Sequence, residues 1–120
     1  MQYDLDRQGI HADIFGSIRD ILLSYPQIVE LKNPMQTSYH DEYGVVVMIR
    51  GRSDGLVVSF GKGVKLQEKY PVLQGNGKVV RHLLLRSLGD VNEALLREMI
   101  EESLMVNLET YEIKRLKSSL

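Results

Sequence analysis

The chain has 120 residues, a size typical of a single domain, and its 43% hydrophobic and 26% charged residues are close to the averages for globular proteins, which excludes disordered, collagen-like and repeat proteins. The formal net charge is −1, and the absence of cysteine excludes a disulfide framework, a thiolate metal site and a cysteine nucleophile.

The composition and the apolar runs also indicate in which cellular compartment the protein functions and which kinds of partner it binds. A chain without cysteine fits a reducing compartment. The first residues lack the basic and then apolar order of a signal peptide, and the longest apolar runs, at residues 45–49 and 83–85, fall far short of the ~20 residues of a membrane helix. A pI of about 6.3 and few aromatic residues disfavour nucleic acid. We therefore expect a cytoplasmic protein that binds neither membrane nor nucleic acid.

An amphipathic helix is predicted near the N-terminus, over residues of about 8 to 24. Pro26 ends it, because proline has no backbone N–H and restricts the residue before it. The apolar side chains that recur at helical spacing are Ile10, Ile14, Ile18, Ile21, Leu22 and Tyr25.

Strands are predicted from the β-branched runs that follow. Residues 28–31 and 45–49 form two such runs, and residues 79–85 form a later one. Ser53-Asp54-Gly55 separates the strand at 45–49 from a further strand at 56–60. This short polar connection with a glycine predicts an antiparallel hairpin.

A long second helix is predicted from Asp90, which would cap it with Glu93 as the capping-box partner, to about Tyr111. Its expected inner stripe is Leu95, Leu96, Met99, Ile100, Ser103, Leu104 and Leu108. The order helix, strands, helix predicts an α+β fold in one domain spanning residues 1–120. We expect an antiparallel sheet of about five strands with the N-terminal and the long C-terminal helix packed on one face.

Charge is strongly segregated along the chain. Between residues 56 and 89 there are six lysines and arginines and one glutamate, whereas between 90 and 112 there are seven acidic residues and one arginine. The first stretch is therefore basic, and the second is an acidic helix.

The basic stretch suggests a site for a small anionic ligand. Backbone amides at Gly61 and Gly63 could approach a phosphate, with charge supplied by Lys62, Lys78 and Arg81. Tyr39 and His82 would complete this candidate ligand-binding set. The alternative is that Gly61-Lys62-Gly63 and Gly75-Asn76-Gly77 are two turns with solvated lysines. The sequence favours this alternative, because neither glycine motif is followed by the Lys-Ser/Thr of a P-loop. His82 follows Arg81 in a strand, so the two side chains should point to opposite faces.

The acidic helix suggests a cation site. Glu98, Glu101 and Glu102 could form a carboxylate ridge that holds hard or borderline cations through oxygen ligands, while the alternative is a solvated face. Consecutive residues His40, Asp41 and Glu42 in a predicted turn offer a second set of metal ligands, and here the alternative is an ordinary polar turn. The more ordinary interpretation is favoured in both cases.

No catalytic motif is present. Serine catalysis needs an activated serine, and the chain has no Gly-x-Ser-x-Gly elbow. Acid–base chemistry by paired carboxylates stays open, since their spacing in space is invisible in a sequence. We expect a protein that is not an enzyme.

The C-terminal half resembles the YdhG-like domain family, which is grouped with YjbR-like and frataxin (CyaY)-like proteins. The resemblance is carried by Phe60-Gly61-Lys62-Gly63, then Leu66, then Gly75-Asn76-Gly77-Lys78-Val79-Val80-Arg81-His82, and then Leu85-Arg86-Ser87-Leu88 before an acidic helix. The N-terminal half matches loosely. Where many relatives carry a Ser-Tyr-Gly-Met-Pro-like segment, this chain has Ser38-Tyr39-His40-Asp41-Glu42.

The resemblance implies a frataxin-like α+β fold and, for some members, a role as an iron chaperone in iron–sulfur cluster assembly. The leading hypothesis is therefore an iron-binding protein with carboxylate ligands and an iron–sulfur assembly protein as partner. The alternatives are a binding module for a small anionic ligand and a protein-interaction domain that uses the open face of the sheet. The oligomeric state is left open by the sequence.

Overall fold

Three helices and one five-stranded sheet make up the chain, and a computed structural model describes every residue from 1 to 120. The helices are α1 (Gln2–Gln8), α2 (Ala12–Leu23) and α3 (Glu93–Ser118), and the strands are β1 (Val29–Lys32), β2 (Thr37–Asp41), β3 (Gly44–Arg52), β4 (Gly55–Phe60) and β5 (Arg81–Leu85). Two short 3₁₀ turns lie at Gly63–Lys65 and Leu88–Asp90. No helix combines the length and the apolar character needed to cross a membrane.

The sheet is an antiparallel meander in which each strand pairs with the next one along the chain, in the order β1-β2-β3-β4-β5. The predicted hairpin is confirmed as β3 and β4, with Arg52 paired to Gly55 at the turn. The turn predicted at residues 40–42 needs correction. His40 and Asp41 are the last residues of β2, and the turn comes after them, at Glu42 and Tyr43.

One face of the sheet is covered by all three helices and holds the core. Val47 and Ile49 of β3 pair with Phe60 and Val58 of β4, so these four side chains share that face, and all are buried. The helix residues that complete the core are Ile14, Phe15, Ile18, Ile21, Leu22, Leu96, Met99 and Ile100. The α+β fold with helices on one face is therefore as predicted, although the N-terminal part contains two helices.

The helix predicted over residues of about 8 to 24 begins only at Ala12, and a separate helix, α1, precedes it before a break at Gly9–His11. A Cβ at Gly9 would lie 2.7 Å from the carbonyl oxygen of Leu5, so glycine is needed where the chain turns away from α1. The turn lets Asp6 accept a 3.0 Å hydrogen bond from the backbone N–H of Gly51. Ile10 fits the helical period yet is exposed, so the expectation that it packs in the core is wrong.

The C-terminal helix begins later and ends later than predicted. Asp90 closes a capping box with Ser87 around the 3₁₀ turn, and Asn92 caps α3 by accepting a 3.1 Å hydrogen bond from the N–H of Leu95. The helix continues through 26 residues, about 39 Å, to Ser118. Its last buried side chain is Asn107, so the final turns project beyond the sheet and the molecule reaches 51 Å in length.

Candidate functional site

The largest cavity of the molecule is an open groove of about 720 Å³ that runs along α3 at one end of the sheet. It forms where α3 meets the segment after α2, the turn between β2 and β3, and the loop after β4. The residues that line it are Tyr25, Gln27, Asp41, Glu42, Tyr43, Lys69, Tyr70, Glu98, Glu101, Glu102, Leu104, Met105 and Leu108. We call this surface the acidic groove.

The acidic groove carries a strongly negative charge. Five of its lining residues are carboxylates, and Lys69 is its single cation. The Lys69 ammonium lies 3.6 Å from the Glu102 carboxylate, and this ion pair is largely exposed. Because four carboxylates lack a lysine or arginine partner within the groove, the groove attracts positively charged groups.

Tyrosines and aliphatic side chains supply the rest of the groove surface. The Tyr25 hydroxyl donates a 2.8 Å hydrogen bond to Glu101, and the rings of Tyr43 and Tyr111 pack with centroids 4.8 Å apart. Burial, followed by the Glu101 hydrogen bond, raises the pKa of Tyr25, so its hydroxyl remains a neutral donor. Met105 and Leu108 expose apolar surface between these polar groups. A ligand with cationic and apolar parts would find complementary groups here.

Asn107 fixes the wall of the groove from beneath. It is fully buried, and its side-chain amide donates to the Asp41 carboxylate at 3.0 Å and to the Val45 carbonyl at 3.1 Å. Its carbonyl oxygen accepts a hydrogen bond from the Lys62 ammonium. Asp41 Oδ1 also accepts the backbone N–H groups of Tyr43 and Gly44, each at 3.1 Å. This network joins α3 to the turn between β2 and β3.

Lys62 belongs to this structural network and does not stand free as an anion ligand. Burial lowers the pKa of Lys62, and the positive charges of Lys114 and Lys65 act in the same direction, while the Asp41 charge opposes them. The ammonium therefore donates to a buried amide and lies in the field of the Asp41 carboxylate.

The two glycines of the predicted anion site serve packing. A Cβ at Gly61 would collide with the Val45 side chain, and one at Gly63 would collide with the backbone and Cβ of Arg81. The Arg81 guanidinium is itself engaged. It donates to Gln67 Oε1 at 2.7 Å and to the carbonyls of Gly77 and Val80 at 2.6 and 2.8 Å. These contacts fix the loop between β4 and β5.

The remaining predicted ligand residues lie apart from one another. Tyr39 is fully buried in the core and donates a 2.8 Å hydrogen bond to Glu30, whereas Lys78 is exposed on the loop before β5. His82 lies on the open face of the sheet, opposite in direction to Arg81, and shares a 2.8 Å hydrogen bond with Ser59. The structure therefore distributes the seven candidate ligand residues over the interior, a loop and two faces.

The predicted metal residues come closer together. Asp41 and Glu42 lie on the acidic groove with Glu98, Glu101 and Glu102, although they are more than 50 positions apart in the chain. His40 is not among the lining residues. No group of three or more histidine, cysteine, aspartate or glutamate side chains is arranged to hold a metal ion. The carboxylates share a surface without converging on one point.

Sequence reasoning missed the residues that give this groove its character. Tyr25, Tyr70 and Met105 were not among the candidates, and Asn107 was not recognised as a buried hub. Asn107 follows the buried Ser103 by four positions, and that helical spacing was the available signal. No local pattern indicates which loops meet α3.

Comparison of the chain with models of protein families, with curated proteins and with solved structures found no match. The resemblance to YdhG-like domains stays a prediction, and the functional argument rests on the acidic groove.

Proposed function

We propose that this chain is a non-enzymatic binding protein whose acidic groove holds a basic, amphipathic segment of a protein partner. The observation that carries the proposal is the combination of five carboxylates in the groove, three of them on α3, with the exposed apolar side chains of Met105 and Leu108 on the same helix. Opposite charge steers and orients such a segment, while burial of apolar surface supplies affinity.

The shape of the groove favours an extended or helical segment. Its α3 wall runs from Glu98 to Leu108, about 15 Å along the helix axis. A helix bound in a groove contacts it with a side chain at every third or fourth residue. The side chains of the α3 wall, Glu101, Leu104, Met105 and Leu108, have the same spacing. Two tyrosine rings of the groove already hold cations of the chain itself, Arg97 over Tyr25 at 5.5 Å and Lys69 over Tyr70 at 5.7 Å.

The test uses a labelled synthetic peptide with lysines on one helical face and leucines on the other, followed by fluorescence anisotropy at low salt. Replacing Glu98, Glu101 and Glu102 together by glutamine should weaken binding about tenfold, because the groove loses three negative charges while its shape is kept. Added salt should weaken binding to the unsubstituted protein more than to this variant.

A matched control separates the groove from overall charge. Replacing Asp4 and Asp20 by asparagine and Glu68 by glutamine removes the same charge from exposed positions that do not line the groove. This variant should bind like the unsubstituted protein. Equal losses in both variants, or no binding of the peptide at all, would argue against the proposal.

Iron carriage is the second candidate, favoured by the presence of five of the six predicted metal residues on the acidic groove. The side chains do not fit a tight site, because Asp41 is committed to the turn amides and Asn107, Glu101 accepts the Tyr25 hydroxyl, and Glu102 pairs with Lys69. An iron–sulfur assembly partner would then be bound through the same groove. The geometry supports a protein segment better than it supports a metal ion.

A further inference from the structure

The distal end of α3 is a helix without a core of its own. After Asn107 the helix has no buried side chain, yet Tyr111 and Leu116, which flank the face of Leu108, are 45% and 61% exposed. About ten residues of isolated helix are marginal in water even for favourable sequences. Large exposed apolar side chains on such an end indicate a surface that a partner covers.

Charge along α3 changes sign from one end of this surface to the other. Glu98, Glu101 and Glu102 lie on the half that contacts the sheet, and Lys114, Arg115 and Lys117 lie on the half that projects. The apolar side chains of Leu104, Met105, Leu108 and Tyr111 lie between the two. Glu109 and Glu112 lie nearer the sheet, so the projecting end from Lys114 onward is itself a basic segment with an apolar side chain at Leu116, which is the chemistry that the acidic groove fits.

We infer that the occupant of the acidic groove is the projecting end of α3 from a second copy of this chain, so that two chains form a two-fold symmetric dimer with antiparallel α3 helices. The inference rests on the proposed function, since it names the partner of the same groove. A two-fold contact uses one patch on both copies, so each chain donates its end and offers its groove.

The residue spacing supports this arrangement in detail. When Leu108 lies opposite its own copy, Glu101 and Arg115 meet, because each lies seven residues, or two helical turns, from Leu108. Met105 and Tyr111, each three residues away, then face one another. A parallel pairing would instead place Glu101 beside Glu101 and Arg115 beside Arg115, and like charges repel.

The contacts that Glu101 and Arg115 make within one chain leave both side chains able to pair across the dimer. Arg115 is 60% exposed and holds Glu112 at 2.8 Å from the same helix, and Glu101 accepts only the Tyr25 hydroxyl. An exposed ion pair between neighbours on one helix is weak, so the guanidinium can reach a carboxylate on a second copy.

Sedimentation velocity over a range of concentrations tests the inference. The unsubstituted chain should reach twice its 13.7 kDa mass in the micromolar range. Glu101→Arg and Arg115→Glu should each shift the equilibrium to monomer by at least tenfold in Kd, and the double variant should restore the dimer. Glu68→Arg and Arg86→Glu make the same charge changes at exposed positions that do not line the groove, and should leave the dimer unchanged. Far-ultraviolet circular dichroism confirms that each variant is folded.

The outcomes separate this inference from the proposed function. A monomer at about 100 μM that binds the amphipathic peptide would overturn the dimer and leave the groove function standing. A dimer indifferent to both charge reversals, or one that the double variant fails to restore, would overturn the antiparallel α3 interface. A monomer that binds no peptide would overturn both.

Discussion

Asn107 illustrates how much of the groove depends on one side chain. Its amide joins Asp41, Val45 and Lys62 in a fully buried position, so removing it breaks three hydrogen bonds, although Asp41 keeps those from the Tyr43 and Gly44 amides. We expect Asn107→Ala to lower the free energy of unfolding by about 2–3 kcal/mol, because the Val45 carbonyl and the Lys62 ammonium lose the hydrogen bonds that Asn107 makes with them. Urea denaturation measures this change.

Thr110→Ala is the matched control for that substitution. The Thr110 hydroxyl donates only to the Val106 carbonyl of the same helix, so its loss should cost about 0.5 kcal/mol or less. Equal costs for the two substitutions would mean that the network does not hold the groove wall.

Glu30 gives the fold a defined response to acid. Burial opposes ionisation of Glu30, but the hydrogen bonds from Arg19 at 2.7 and 3.1 Å and from Tyr39 outweigh it and lower the pKa. The unfolded chain therefore binds this proton more readily. The contribution of the Glu30 carboxylate to the free energy of unfolding is therefore present above the ordinary glutamate pKa of about 4.3. It is lost as the pH falls through the lower pKa of the folded state.

We therefore expect Glu30→Gln to cost about 1–2 kcal/mol of stability at pH 7 and to cost less near pH 3. Urea denaturation at the two pH values, with the unsubstituted protein measured in parallel, gives the difference. A cost that is the same at both values would show that the carboxylate charge of Glu30 is not what stabilises the fold.

Residue types were predicted better than residue roles. The acidity of Glu98, Glu101 and Glu102 is visible in the sequence, and these residues do line the groove. The glycines at 61 and 63 were candidates for an anion site, whereas each makes room for a side chain or backbone from another element. A sequence shows that a position lacks a Cβ but not what lies beside it.

Among the helices and strands, those whose formation depends on a short local sequence signal were predicted correctly. Ser53-Asp54-Gly55 specifies a tight connection, and the β3–β4 hairpin follows from it. The start of α2 was placed too early because Ile10 continues the helical period while its side chain faces water, and α1 was not predicted. The end of α3 was placed too early, at about Tyr111, and Leu108, which was assigned to the inner stripe, is exposed, because a helix that leaves its core gives no local sign of doing so.

In the whole molecule, the open face of the sheet and the acidic groove are separate surfaces, and their relative positions are not apparent from the sequence. The helices cover one face of the sheet, so the open face, with Arg50, Ser59 and His82, points away from the acidic groove at the end of the sheet. The net charge of −1 therefore conceals a local excess of carboxylates along α3. Binding at this groove depends on the local field and not on the net charge.

A ligand that binds only the folded chain raises its thermal midpoint, so a single measurement compares the two functional candidates across the whole molecule. Because no three ligand side chains converge, equimolar ferrous iron under anaerobic conditions should leave the midpoint unchanged, whereas the amphipathic peptide should raise it. An iron-dependent rise that disappears when Glu98, Glu101 and Glu102 become glutamine, but persists in the control with Asp4, Asp20 and Glu68 replaced, would contradict this expectation. The carboxylates of the groove would then rearrange around the ion, and iron carriage would become the better account of the acidic helix.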